Sequence, residues 1–262
     1  MHELKSEFFG RGGTCIDGIA FNVKVVYNYK IKIVINLKLV EIQMEKIKKQ
    51  RPIERYGKVN IIIALLCVIF LIINSVIVSE SALNQLSSNK YLAYILNFLA
   101  GCEGKLGTIG AMSNANVFGD GEWWRLFLHM YLHAGVLHML FNVFALLFAG
   151  KVVEKKIGSL PYLLLYHVIA IVNAIIMCLL FPDSTSVGAS AGIFGMIGIV
   201  CVMKWKKDTV CNENLKKGEF IYIIVFSVLS LLLGLESFVT HFVAFVFGII
   251  VGLLLQKKSK DD

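Results

Sequence analysis

From residue 59 onward, apolar residues fall into runs separated by short polar breaks, with no one-sided stripe. A membrane-crossing helix needs about 20 consecutive, mostly apolar residues. Six stretches approach that length, at 59–78, 135–153, 160–181, 190–203, 220–235 and 238–255. The third opens beside Pro161, a position where a missing N–H costs a helix little. The fourth holds only about 14 apolar residues and is too short to span fully. The leader before residue 50 is patterned differently. VKVVYNYK and IKIVINLKLVEIQ alternate apolar and polar positions, the period of a strand, so a small β-rich piece is expected there. The segment from about 79 to 125 is too long for a simple connector. Its apolar stretch YLAYILNFLA is too short to span and is expected to lie in the interface or re-enter.

Composition agrees with the runs: 57% of the 262 residues are hydrophobic, too apolar for an ordinary soluble domain. The net charge of +8 follows the breaks between runs. Residues 43–58 carry six Lys or Arg, 151–157 three, 204–217 five and 257–260 three. The alternate breaks hold only Lys90, Lys105 and Arg125. Positive charge marks the cytoplasmic side, so both termini are expected there. The charge forms no single patch, and nucleic acid is not an expected partner. The six cysteines include no CxxC pair and read as small apolar residues. No cleavable signal peptide is expected, because the first strongly apolar run lies behind a long polar leader.

Polar groups inside a span cost a few kcal/mol and require a reason. His129, His133, His138 and Asn142 stand in or just before the second run. His138 and Asn142, four apart, share a helix face. Ser190 opens the fourth run, and His241 sits near the start of the sixth. Each has an ordinary explanation taken singly: serine bonding to its own backbone, interfacial histidine, or polar glue between helices. By the charge-derived topology, however, all fall on the outer half of the bundle. A serine, a histidine on a second helix, and an amide with another histidine on a third are the parts of a nucleophilic hydrolase. Zinc is a poorer reading, since His129, His133 and His138 do not share one face and no HExxH is present.

Gly188-Ala-Ser-Ala-Gly192 fits the GxSxG of a nucleophile elbow, but that motif requires a preceding strand and PDSTSV supplies none. The same residues suit a truncated membrane helix. Its N-terminus would begin below the surface in a protein-lined, watery recess, where irregular backbone is tolerated. Free N–H groups and the positive dipole end would stabilise an oxyanion there. Gly192, Gly195 and Gly198 on this helix, with Ala244, Gly248 and Gly252 on the sixth, form small-residue rows that permit close approach. Phe194, one turn after Ser190, is placed to pack on the His241 ring. Asp183 and Glu236 stand in short outer loops as candidates for a third member; a dyad is the simpler reading.

These motifs resemble the rhomboid family of intramembrane serine proteases over roughly residues 57–256. GEWWRL at 121–126, with Trp124 and Arg125, resembles the family's Trp-Arg loop motif. HAGVLHMLFN at 133–142 resembles its His-xxx-Asn motif, and GASAGIFG at 188–195 its GxSx motif. The resemblance implies an all-α polytopic membrane protein with six transmembrane helices in residues 51–256. A cytoplasmic segment, 1–50, would precede it and a cytoplasmic tail, 257–262, follow it, most simply in a bacterial plasma membrane. It implies a Ser190–His241 dyad, an oxyanion site from His138, Asn142 and the Ser190 N–H beside Gly188, no metal or other cofactor, and transmembrane-protein substrates. Ala191 and Ala244 replace glycines usual in the family, so slightly looser packing is expected there. A non-catalytic rhomboid-like binding protein would typically lack the serine or histidine. A transporter would hold its polar groups near the midplane between repeated halves.

Overall fold

A computed structural model describes residues 52–83 and 109–261. The strand-like leader and the YLAYILNFLA stretch lie outside the described residues. Six apolar helices organise the remainder: α1 (Lys58–Leu83), α2 (Val136–Ile157), α3 (Ser159–Leu180), α4 (Ser190–Trp205), α5 (Lys217–Leu231) and α6 (Leu235–Asp261). Each coincides with one of the six runs. Four of them, α1, α2, α3 and α6, are long and apolar enough to cross a membrane. At 16 residues α4 reaches about 24 Å, short of the roughly 30 Å hydrocarbon core. α5 has 15 residues and ends at Leu231, four residues earlier than its apolar run. Leu232 and Leu233 join Gly234 in the turn to α6, and Gly234 has φ +124°, a conformation that favours glycine.

α4 is the centre of the bundle. Twelve of its residues, Ala191 to Val200 with Val202 and Met203, are buried. Its most extensive pairing is with α6, and it also packs on α2 and α3. The glycine rows explain the closeness. A methyl group at Gly198 would strike the Phe245 carbonyl and the backbone of Gly248 and Ile249, and one at Gly248 would strike the Gly195 carbonyl. The two helices thus touch backbone to backbone. Gly192 differs from expectation: its missing side chain makes room for the Tyr166 ring of α3, and a methyl at Gly195 would meet Ile169 of α3. The small residues of α4 therefore serve two neighbouring helices.

Charged groups at the other end of the bundle are paired. Glu154 of α2, although buried, accepts from the Val59 and Asn60 N–H groups at the start of α1 (3.1 and 2.9 Å) and from the Ser159 hydroxyl (2.6 Å). A carboxylate nearly a hundred residues away thus satisfies N–H groups that a helix start leaves free. Lys151 donates to Glu219 of α5 (2.6 Å), which also accepts from the Lys216 N–H (3.0 Å). Lys156 and Gln256 both donate to Asp208 (2.8 Å each). Together these contacts tie α1, α2, α3, α5 and α6 to one another or to the α4–α5 loop.

A methyl added where two backbones touch forces the helices apart, which costs about 1–3 kcal/mol. Gly198→Ala is expected to lower the thermal midpoint of the purified protein in lipid. Gly218→Ala, with open space around it, is expected to leave that midpoint unchanged or raise it.

Candidate active site

Ser190 is the first residue of α4, and the backbone before it is shaped by glycine. Gly188 has φ +123°, and a side chain there would crowd Cε1 and Nε2 of His138 at 3.2 and 3.3 Å. The bare backbone of Gly188 thus packs beside the His138 imidazole. The Gly188 N–H donates to the His129 carbonyl (2.9 Å). Two residues earlier, Ser186 exchanges backbone hydrogen bonds with Met112 (3.0 and 2.8 Å). The entry to α4 is therefore held from two sides. No side chain caps the helix, and its first turn-closing bond runs from the Ile193 N–H to the Ala189 carbonyl (3.1 Å). The N–H groups just before Ile193 precede that bond, the situation in which helix starts bind anions.

A cavity of about 680 Å³ opens at this point, and Ser190, His138, Asn142 and His241 all line it. The structure thus brings together the four polar residues that the sequence singles out on three helices. His241 lies flat on Phe194, with ring centroids 4.2 Å apart and planes 10° from parallel. Phe194 in turn meets Phe226 of α5 at 5.7 Å. Stacking holds the imidazole against α4 and limits its rotation. Asn142 donates one amide N–H to the His138 carbonyl (2.8 Å). The amide has a second N–H, and its buried oxygen has no protein partner among the described residues.

The neighbouring side chains are polar yet enclosed. His133 meets His138 edge to face at 5.1 Å, and its Nδ1–H donates to the Tyr131 carbonyl (3.2 Å). Its buried Nε2 has no protein partner among the described residues. His129 donates from Nδ1 to the Arg125 carbonyl (2.9 Å). Trp124 and Arg125 do not line the cavity. Arg125 is buried, pairs with Glu122 (2.6 Å), donates to the Ala111 carbonyl (2.9 Å) and lies over the Trp124 ring. This motif braces the loop whose next residue, Met112, pairs with Ser186. Asp183 is also absent from the cavity wall, whereas Glu236 is on it. Among the described residues, no group of three or more His, Cys, Asp and Glu is placed to hold a metal ion.

Two contacts at the site escape sequence reading. Asn173 of α3 donates to the Thr240 carbonyl (2.8 Å), beside His241. Ser237, one turn before His241, contacts that ring's Nδ1 at 3.3 Å. The i, i+4 spacing of Ser237 and His241 was available as a signal. Nothing in the sequence marks Asn173 as a partner of α6.

The rhomboid domain model matches residues 120–258, more than half of the chain, including Ser190, His241, His138 and Asn142. RHOMBOID-like protein 6, mitochondrial, of Arabidopsis thaliana is 30% identical over 169 residues, covering 62% of this chain and 54% of that protein. The putative rhomboid protease YdcA of Bacillus subtilis is 31% identical over 147 residues, covering 54% of this chain and 72% of that protein. Rhomboid-like protease 1 of Toxoplasma gondii is 33% identical over 147 residues, covering 54% and 50%. The chain thus spans about half the length of several curated relatives it matches. It belongs to the rhomboid family and is an integral membrane protein.

Burial of His129 pushes its imidazole down to about 4. Burial and the nearby His138 push His133 down to about 3. The ordinary value is about 6.5. Below pH 6.5 the unfolded chain takes up protons that the folded protein refuses, so folding stability falls with pH. For His129 the loss levels off below about pH 4, and for His133 below about 3. The thermal midpoint is expected to drop steadily from pH 6.5 to 4, and less steeply in His129→Gln.

Proposed function

We propose that the protein is an intramembrane serine endopeptidase that cuts transmembrane proteins through Ser190 and His241. The observation that carries this reading is the convergence of Ser190, His241, His138 and Asn142 on one cavity at the uncapped start of α4. Membership of a family in which several relatives are named as proteases supports it. The basic residues lie between the opposite ends of the helices, and their excess sets that end, with both termini, in the cytoplasm. The cavity then opens toward the outer face.

In this reading a substrate helix enters from the bilayer and unwinds locally, because a hydrogen-bonded helix shields its carbonyls. The Ser190 hydroxyl attacks the exposed carbonyl carbon while His241 takes its proton. The charge developing on the carbonyl oxygen is met by the Ser190 N–H, by the second N–H of Asn142, and by His138. Collapse of the tetrahedral intermediate expels the amine, which receives the proton from His241. Water activated by the same imidazole then releases the acyl group from Ser190. The half-open cavity supplies that water, and neither step requires a metal.

Reconstituted into liposomes with a reporter bearing one transmembrane helix, the wild-type protein is expected to release a shortened soluble fragment. Ser190→Ala and His241→Ala are expected to lower the rate by about 10³-fold or more. Normal cleavage by Ser190→Ala would overturn the assignment.

A further inference from the structure

A base that accepts a proton through one ring nitrogen needs its proton on the other. The cavity wall offers one carboxylate among the described residues, Glu236, which is exposed. Among the described residues, the side chain that meets His241 Nδ1 is instead the Ser237 hydroxyl, at 3.3 Å, and the Ser230 carbonyl is a second hydrogen-bond partner of the ring. A serine hydroxyl has one proton and can either donate or accept toward an imidazole. Here that proton is committed, because Ser237 donates to the Ser230 carbonyl (3.2 Å), a group that can only accept. The Ser237 oxygen is therefore left to accept; it and the Ser230 carbonyl both face the ring as acceptors, so the ring donates from Nδ1. In a neutral imidazole this leaves the lone pair on Nε2.

Resting on the reading of His241 as the general base, we propose that Ser237 is its positioning residue. Ser237 fixes the Nδ1–H tautomer and supports the imidazolium formed during turnover, a task given to a carboxylate in Ser-His-Asp triads. Ser230 and His241 are both buried, so water competes weakly for these bonds. Other groups packed around the ring come from three helices. Phe194 of α4 covers one face. His138 of α2 lines the same cavity. Cys178 of α3 and Glu236 lie on the same cavity wall. Ser230 belongs to the last turn of α5, so the chain α5 carbonyl–Ser237–His241 makes the ring's tautomer depend on where α5 sits. A shift of α5 away from α6 would free the Ser237 proton and, with it, the ring's preference.

The test uses full-length protein, labelled with ¹⁵N-histidine and reconstituted in bicelles, with the His241 signals assigned by their loss in His241→Gln. Wild-type His241 is expected to show a protonated Nδ1 and an unprotonated Nε2. Ser237→Ala is expected to show a mixture of tautomers, with kcat for the reporter lowered about tenfold and KM within twofold. Ser237→Thr, which restores a hydroxyl, is expected to recover both signals and rate. Ser237→Cys keeps the shape with a weak acceptor and should behave like Ser237→Ala, which separates hydrogen bonding from packing should the alanine variant fold poorly. A wild-type tautomer in Ser237→Ala and Ser237→Cys would overturn the proposal, whatever their rates. Full cleavage by His241→Ala would instead overturn the reading of His241 as base, and the two failures are thus distinguishable.

Discussion

The contact between α4 and α6 governs the site because it leaves no space for side chains between the helices. Gly198 and Gly248 each face backbone atoms of the opposite helix. Without such an approach His241 would stand a side-chain layer further from α4. With it, the imidazole rests on Phe194 at 4.2 Å and shares a cavity wall with Ser190. In a membrane interior no hydrophobic effect drives helices together, so close packing of small residues must supply the association. Ala191 and Ala244 are both buried.

The polar groups divide between the two ends of the bundle and do different work. At one end Glu154, Lys151, Glu219 and Asp208 satisfy helix starts and one another. These bonds are complete and lock the helices, and removing one partner of a buried pair is costly. At the other end the Asn142 oxygen and the His133 Nε2 are buried with no protein partner among the described residues, and no side chain caps the α4 start.

Much of this was legible in the sequence for physical reasons. Membrane helices announce themselves through composition, and polar residues in them are rare enough to stand out. That is why Ser190, His138, Asn142 and His241 could be selected before their convergence was seen. The stack of His241 on Phe194 followed from the one-turn spacing to Ser190. Other features were not legible. That α5 stops at Leu231 depends on the Gly234 turn, since Leu232 and Leu233 are apolar in either state. Gly192 turned toward Tyr166 because α3 packs on that side of α4, and a glycine row does not state which neighbour it serves. The Glu154 bond to α1 joins residues nearly a hundred positions apart, with no local signal at either. Trp124 and Arg125 read as a motif, but only the structure shows that they lie off the cavity wall and that Arg125 braces the loop carrying Met112, which is on it.

The central claim is that Ser190 is activated by His241 within one cavity. Reaction of the reconstituted protein with a fluorophosphonate, followed by mass-spectrometric localisation of the adduct, tests it most directly. One adduct is expected, on Ser190, formed by the wild-type protein and absent from His241→Ala. An adduct on Ser190 that forms equally fast in His241→Ala, or none on Ser190 in the wild type, would contradict it.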